Sequence, residues 1–123
     1  MLQQKKWAEA EAILKEGVAI RAAKQPDAWT TFDAQSLLGE ALLGQKKHAE
    51  AEPLILKGYE EMRAREKTIP PPARIRIAEA LDRLIKLYTA ANKLDEVKKW
   101  KAERAKYATE FKSAVSKKEA AKK

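Results

Sequence analysis

Apolar and polar positions follow a helical period along most of the chain. In the first 24 residues, apolar or small side chains recur every three or four positions, the spacing of one face of an α-helix. These positions are Trp7, Ala10, Ile13, Leu14, Gly17 and Ile20. Similar spacing returns in four later segments, and the pattern therefore predicts five helices.

Prolines, glycines and capping residues mark where the predicted helices begin and end. Pro26 ends the first helix, because proline has no N–H for the helical ladder. Asp27, or Thr30 with Asp33 three residues later, is predicted to cap the second helix. Gly44 is predicted to end that helix in the left-handed conformation. The predicted helices span residues 3–24, 28–43, 47–67 and 74–91, followed by one that opens with Asp95 and passes Phe111.

Two proline features shape the middle of the chain. Pro53 falls within the third helix, so we place the start of that helix at His48 or Ala49, where a missing backbone donor costs little. Residues 68–72 end in three consecutive prolines and form a predicted rigid linker. Asn92 is predicted to close the fourth helix.

A string of fourteen residues occurs twice. Residues 4–17, QKKWAEAEAILKEG, and residues 45–58, QKKHAEAEPLILKG, share eight identities at a distance of 41 positions. A period in this range is typical of stacked helical hairpins, in which each hairpin buries its apolar face against the next. Small residues of both copies are expected to lie where neighbouring helices approach closely: Ala10, Gly17, Ala51 and Gly58.

The pattern around the second copy resembles the tetratricopeptide repeat, a pair of helices with small and large residues at fixed steps. The matching positions are Leu38, Gly39, Leu42, His48, Ala51, Ile55 and Gly58. A half unit precedes them, and a degenerate unit follows, with Lys101 and Arg104 in place of the expected aromatic and small residues. The step of 41 resembles the longer-helix variant of kinesin light chains.

Three segments also resemble the C-terminal repeat region of bacterial eukaryote-like serine/threonine kinases. They are Ala23–Phe32, Gln45–Glu60 and Ile69–Trp100. The sequence has no glycine-rich phosphate loop, no His-Arg-Asp and no Asp-Phe-Gly, so phosphoryl transfer is not predicted. We interpret the chain as a non-enzymatic, detached or truncated C-terminal segment of a kinase-like protein.

The resemblance implies an all-α fold, a right-handed α-α superhelix of about five antiparallel helices. The repeat domain is predicted to cover residues 1–115, followed by a basic, disordered tail at 116–123. Within the domain we expect a half repeat at 1–25, a repeat at 27–67 and a degenerate repeat at 72–115.

Composition and charge exclude several kinds of site and localise the basic character of the chain. The chain has 123 residues and no cysteine, which excludes disulfides and thiolate metal sites. No signal peptide or membrane-spanning run is evident, and a cytoplasmic location is predicted. The net charge is +8, of which residues 98–123 carry +7, so a preference for polyanions would belong to the C-terminal end alone.

The resemblance implies a peptide-binding groove lined by the first helix of each pair. The groove positions are Asp33, Ser36, Glu40, Glu79, Asp82 and Lys86. The asparagines of the family's carboxylate clamp are missing here. Because four of the six side chains are acidic, we expect a basic or neutral partner segment.

The fifth helix interleaves basic and aromatic residues, which suits RNA or an anionic membrane surface. Its basic positions are Lys98, Lys101, Arg104 and Lys112. In the alternative that we prefer, Val97, Trp100 and Tyr107 pack against the preceding helices and the lysines face solvent, as a terminal repeat requires. Phe111 and Val115 are then expected to be exposed.

No catalytic residue, metal site or cofactor is predicted. His48 is the only histidine and takes the position of Trp7, so we interpret it as a packing residue, with Glu50 and Glu52 pointing elsewhere. The glutamates of both copies are interpreted as solvated charges. Trp29 and Phe32 are expected to pack against the first helix, with a role as partner anchors as the alternative.

The predicted function is that of a non-catalytic protein-interaction scaffold. The partner is a protein or peptide bound in the groove. RNA or an anionic surface at the basic helix is the alternative, and a homodimer formed through the open first helix, residues 1–24, is a further possibility.

Overall fold

A computed structural model describes the backbone of residues 2–121 and the side chains of residues 6–109. The described backbone is all-α and contains no strand, so the all-α part of the predicted fold class is confirmed. Five helices follow one another: α1 (Leu2–Lys24), α2 (Trp29–Gly44), α3 (His48–Ala64), α4 (Ile75–Ala90) and α5 (Leu94–Ala121). The tail was predicted to be disordered at 116–123, but α5 includes residues 116–121, and residues 122–123 lie outside the described backbone.

The turn from α2 to α3 corrects the prediction for Gly44. Gly44 lies in the last turn of α2 without a positive φ, and Lys46 instead takes the left-handed conformation with a φ of 64°. The Lys47 N–H donates to the Leu42 carbonyl at 2.9 Å and the Lys46 N–H to the Leu43 carbonyl at 2.9 Å, so both carbonyls at the helix end are paired. Position 44 needs a glycine for another reason, because a Cβ added there would lie 2.4 Å from the ring of Trp7.

The turn from α4 to α5 repeats this geometry 46 residues later. Asn92 is left-handed with a φ of 58°, and the Lys93 N–H donates to the Tyr88 carbonyl at 2.9 Å. Asn92 therefore ends α4 as predicted. The hairpins α2–α3 and α4–α5 are closed by the same backbone turn although their turn sequences differ.

The predicted cap of α2 is wrong. The residue before the helix is Ala28, and no side chain bonds the free N–H groups there. Thr31, which lies inside α2, instead donates its hydroxyl to the Gln25 carbonyl at 2.7 Å. This bond stabilises the turn between α1 and α2. Neither Asp27 nor Thr30 supplies the cap.

The connection from α3 to α4 is longer and is anchored in the core. α3 begins at His48, as predicted, with Pro53 inside it, but it ends at Ala64 and not at Lys67. Two short 3-10 turns follow, Glu66–Thr68 and Pro71–Ala73, with the fully buried Ile69 between them. Ile69 holds the predicted rigid linker against the domain.

Small residues allow the closest helix crossing, between α2 and α3. An added Cβ at Gly39 would lie 2.4 Å from the Ile55 side chain, and one at Gly58 would lie 2.9 Å from the Phe32 carbonyl oxygen. Ala51 is fully buried at the same crossing. The expected role of Ala51 and Gly58 is thus confirmed.

The first copy of the repeated string packs differently. An added Cβ at Gly17 would meet nothing within 4 Å, so the close approach expected at Gly17 is absent. Ile13 is 71% exposed and Ile20 is 50% exposed. α1 contacts α2 through a neighbouring stripe that includes Leu14 and Val18.

The packing order places α2 and α4 side by side. α2 lies against α1 and α3, and α4 lies against α3 and α5. α2 also contacts α4 directly. Consecutive helices that are joined by short turns and packed together run antiparallel. The first helices of the two hairpins therefore share one side of the molecule.

Candidate protein-interaction surface

The six predicted groove positions lie on two neighbouring helices. Asp33, Ser36 and Glu40 come from α2, and Glu79, Asp82 and Lys86 come from α4. The last three, together with Glu40 and Arg83, line a shallow cleft of about 270 Å³. We call it the α2–α4 cleft. Asp33 and Ser36 are buried and do not line it.

Arg83 organises the cleft, and sequence analysis did not single it out. Its side chain is only 8% exposed, and its Nε donates to a Glu40 carboxylate oxygen at 2.8 Å. One terminal nitrogen donates to the Ser36 hydroxyl at 3.2 Å. A buried guanidinium needs such partners, because an unpaired buried charge is strongly destabilising. The network therefore ties α4 to α2.

A sequence signal for Arg83 did exist. It lies three positions after Ala80 and four before Leu87, within the apolar stripe of α4. A single charged residue in such a stripe requires a buried partner, since charged side chains are rarely buried unpaired. The partner's identity depends on how α2 packs against α4, which one sequence does not specify.

The charges of the cleft are balanced, which corrects the expected acidic groove. Each of the four predicted carboxylates has a cation within 4 Å. The pairs are Asp33–Arg76 at 3.9 Å, Glu40–Arg83 at 2.8 Å, Glu79–Arg83 at 3.9 Å and Asp82–Arg104 at 2.9 Å. Lys86 adds a further cation, 3.9 Å from Glu40. The expected preference for a basic partner thus loses its electrostatic basis.

Asp33 is the least satisfied charge in this region. Burial raises the pKa of its carboxyl above the ordinary value, although Arg76 and Arg83 oppose the shift. Its Oδ1 is buried and has no hydrogen-bond partner among the described residues. The carboxylate is thus held near two arginines without a good hydrogen bond.

The described aromatic residues of α5 serve packing. Trp100 is buried, meets the Tyr59 ring edge-on with centroids 5.5 Å apart, and donates its Nε1–H to Glu96 at 3.1 Å. Tyr107 is buried and donates its hydroxyl to the Arg74 carbonyl at 3.0 Å. Together with the buried Val97, they confirm the preferred interpretation of α5.

The predicted basic surface of α5 is reduced accordingly. Lys98 and Lys101 are exposed, and Arg104 is engaged with Asp82. Lys112 lies outside the described side chains, as do Phe111 and Val115. Trp100 and Tyr107 are buried, and Lys99 lies over the Trp100 ring and Arg63 over the Tyr107 ring, which leaves little ring surface for a base to stack on.

The lone histidine lines a second cavity, between α3 and the end of α4. The cavity measures about 240 Å³, and Glu52, Tyr88 and Lys93 also line it. Glu52 was expected to point away from His48, but residues four apart share a helix face. Tyr88 donates its hydroxyl to Glu52 at 2.9 Å. No cluster suited to holding a metal ion occurs in the part of the chain that the structure describes.

Glu11 is the counterpart of Glu52 in the first copy and also forms a contact between repeats. It accepts hydrogen bonds from Gln45 Nε2 at 2.7 Å and Lys47 Nζ at 3.3 Å, and it pairs with Lys15 at 2.9 Å. The bonds from Lys15 and Gln45 lower the pKa of Glu11 to about 2. The expectation that these glutamates are merely solvated is therefore incorrect for Glu11 and Glu52.

None of the helices in the described part of the chain is both long enough and apolar enough to span a bilayer. Comparisons with protein-family models, curated proteins and solved structures give no match. The resemblance to the tetratricopeptide repeat therefore rests on the sequence pattern alone.

Proposed function

We propose that this chain is a non-catalytic protein-interaction scaffold built from tetratricopeptide-like hairpins in a right-handed superhelix. The observation that carries the proposal is the turn that closes both α2–α3 and α4–α5, with the same backbone bonds 46 residues apart. Units that repeat in this way present their first helices as one continuous surface, the arrangement that repeat proteins use for binding.

The α2–α4 cleft is the binding surface of this proposal. Glu79, Asp82 and Lys86 form its exposed part, and Arg83 with Glu40 forms its floor. Since both signs of charge are present, the cleft suits a partner segment with its own mixed charges and hydrogen-bonding groups. Affinity in such a site comes from a few well-placed contacts more than from net attraction.

The parent architecture is a further part of the proposal. The segments Ala23–Phe32, Gln45–Glu60 and Ile69–Trp100 support a role as the regulatory, cytoplasmic repeat segment of a bacterial serine/threonine kinase-like protein. In that role the cleft would recruit a protein that the kinase acts on or responds to.

Affinity capture with matched surface variants tests the cleft. Glu79→Gln with Lys86→Gln removes one charge of each sign from the exposed rim and leaves the Arg83–Glu40 bond in place, and Lys101→Gln with Glu103→Gln removes one charge of each sign from α5. Partners captured by the natural chain and by the α5 variant, but lost by the rim variant, support the proposal. Partners retained by the rim variant contradict it.

Binding of polyanions by α5 is the second candidate, favoured by the exposed Lys98 and Lys101 beside the C-terminal excess of charge. With its described aromatic residues buried, α5 can attract phosphates only through charge. Single-stranded RNA and anionic vesicles should then bind weakly, with an affinity that falls steeply as salt rises. Retention of RNA at high salt would instead indicate base stacking.

A further inference from the structure

The cavity beside His48 lies at a place that side chains fill one repeat earlier. We call it the His48 cavity. It measures about 240 Å³, and its walls include His48, Glu52, Leu87, Tyr88, Ala91 and Lys93. None of its lining residues belongs to the α2–α4 cleft. The cavity is therefore a separate site, and the comparison between repeats shows what it lacks.

The backbone fixes which residues correspond in the two repeats. α3 repeats the sequence of α1 at a distance of 41 positions, and the turns after α2 and α4 match at a distance of 46. The ion pair between Glu11 and Lys47, at 3.3 Å, has its counterpart in the pair between Glu52 and Lys93, at 3.9 Å. The contact of α1 with α2 is thus equivalent to the contact of α3 with α4.

Two side chains occupy the equivalent place between α1 and α2. The ring of Trp7 lies on Gly44, where an added Cβ would overlap it. The side chain of Gln45 reaches from the end of α2 to α1, and its Nε2 donates to a Glu11 carboxylate oxygen at 2.7 Å. An aromatic ring and an N–H donor therefore fill this position in the first repeat.

Both of these residues have smaller counterparts between α3 and α4. His48 corresponds to Trp7, and Ala91 corresponds to Gln45. Tyr88 is larger than its own counterpart, Leu42, but a volume of about 240 Å³ still remains. An apolar cavity of about 150 Å³ already holds a benzene molecule. The His48 cavity is thus large enough for one small aromatic ring system.

Glu52 provides the polar contact for such a ring. Tyr88 donates its hydroxyl to the Oε2 atom of Glu52 at 2.9 Å, and Lys93 lies 3.9 Å from the same atom. Ala91 supplies no side-chain donor in place of the Gln45 amide. The Oε1 atom of Glu52 is therefore the acceptor that an incoming N–H would use, and hydrogen bonds to a carboxylate are among the stronger ones.

We propose that the His48 cavity binds a small, free heteroaromatic molecule with a ring N–H, of the indole class. Its ring takes the place that the Trp7 ring fills one repeat earlier, and its N–H takes the place of the Gln45 amide at the carboxylate. In the first repeat the ring is attached to the backbone of α1. The corresponding backbone position in the second repeat belongs to His48, so a free ring fits better than one that is attached to a partner's chain.

Three probes test the chemistry of the site on the full chain. Indole is titrated first, and the amide NMR signals of residues 48–52 and 87–93 are expected to shift together, with a Kd of about 0.1–1 mM for a ligand of this size. Indene has nearly the same shape but no N–H and should bind roughly tenfold more weakly, because it cannot use Glu52. N-acetyltryptophan amide, which carries the ring on a peptide-like backbone, should also bind more weakly than indole.

Variants test the position of the site. His48→Trp with Ala91→Gln restores the residues of the first repeat and should abolish the shifts that indole causes, while the Tm stays unchanged or rises. Ala91→Gln alone leaves α3 intact and should weaken binding, which keeps the test valid if the double variant folds poorly. Lys57→Trp adds a tryptophan to the exposed face of α3 outside the cavity and is expected to leave the Kd unchanged.

Four outcomes overturn the proposal. These amides do not shift up to the solubility limit of indole, or the shifts survive the double variant, or indene binds as tightly as indole. In the fourth, N-acetyltryptophan amide binds more tightly than indole, which assigns the cavity to a tryptophan side chain of a protein. None of the four bears on the α2–α4 cleft, because the two sites share no lining residue.

Discussion

At the scale of single residues, Arg83 shows how a buried charge can hold two repeats together. Its guanidinium is buried between α2 and α4 and depends on Glu40, at 2.8 Å, more than on any other carboxylate. Glu79 lies 3.9 Å from the same group but is far more exposed. The Glu40 contact is therefore the stronger of the two, because it is shorter and because solvent screens the more exposed Glu79–Arg83 pair.

Glutamine substitutions separate these two contacts. Glu40→Gln keeps the shape but removes the charge, and is expected to lower the free energy of unfolding by about 1.5–3 kcal/mol, the range for a hydrogen bond to a charged group. Glu79→Gln is the matched control and should change it by less than about 0.5 kcal/mol. Urea unfolding monitored by circular dichroism measures both. Equal effects would show that the network does not centre on Glu40.

The raised pKa of Asp33 predicts in which direction the stability of the fold changes with pH. Because burial raises its pKa in the folded state, the native chain holds this proton to a higher pH than the unfolded chain does. Ionising Asp33 therefore destabilises the fold, and this contribution sets in as the pH rises from the ordinary pKa of Asp to the raised one.

Asp33→Asn is expected to reveal that contribution. The difference in stability between the variant and the natural chain should grow in favour of the variant as the pH rises through this window, and should be constant above it. Urea unfolding at a series of pH values from about 3 to 8 measures the difference. Other titrating groups, such as Glu11, contribute equally to both chains, so their effects cancel in the difference. A difference that moves in the opposite direction would mean that Arg76 and Arg83 outweigh burial.

At the scale of the helices, the two copies of the repeated string show that the same sequence packs differently in different surroundings. Gly58 lies at a crossing where its missing side chain is needed, and Gly17 lies beside open space. In a helix, alanine is favoured over glycine by about 1 kcal/mol when nothing else changes. The same substitution should thus have opposite effects at the two positions.

Gly17→Ala is expected to raise the free energy of unfolding by about 0.5–1 kcal/mol. Gly58→Ala should lower it by about 1–2 kcal/mol, because the added Cβ meets the Phe32 carbonyl and Ser36 and the overpacking exceeds the gain in helix propensity. Thermal and urea unfolding of the pair give the comparison. A destabilising Gly17→Ala would show that another helix covers that face in solution.

Particular residues show how far the sequence determines the helices. Periodicity located all five, because amphipathic spacing is a local property, and it placed Ala51 and Gly58 at a crossing. It failed at Gly44, where a glycine usually ends a helix but here accommodates the Trp7 ring while Lys46 makes the turn. That contact joins residues 37 positions apart, and its cause lies in the packing of α1 on α2.

The candidate site was likewise predictable from the sequence only in part. Four of the six groove positions that the tetratricopeptide resemblance implied line the α2–α4 cleft, whereas Asp33 and Ser36 are buried. Arg83 and the charge balance were not predictable, since ion pairs between α2 and α4 depend on how the two helices are offset. The open space beside Gly17 was also missed, because identical strings suggest identical packing.

At the scale of the whole molecule, the packing order implies a gradient of stability. α2 contacts α1, α3 and α4, whereas the described contacts of α1 are mainly with α2. In stacked repeats each unit is stabilised mostly by its nearest neighbours, so a unit with a single neighbour opens most easily. α1 should therefore open at a lower free energy than α3.

Amide hydrogen exchange offers a comparison with its own internal control. Residues 8–11 and 49–52 are identical, so after correction for intrinsic exchange rates a difference in protection between the two segments reports tertiary packing. The amides around Ala51 and Ile55 are expected to approach the protection of global unfolding, while those around Ala10 and Leu14 exchange at least tenfold faster. Equal protection in the natural chain would mean that α1 is already covered on its open face, and the search for its occupant would then begin with a second copy of the chain.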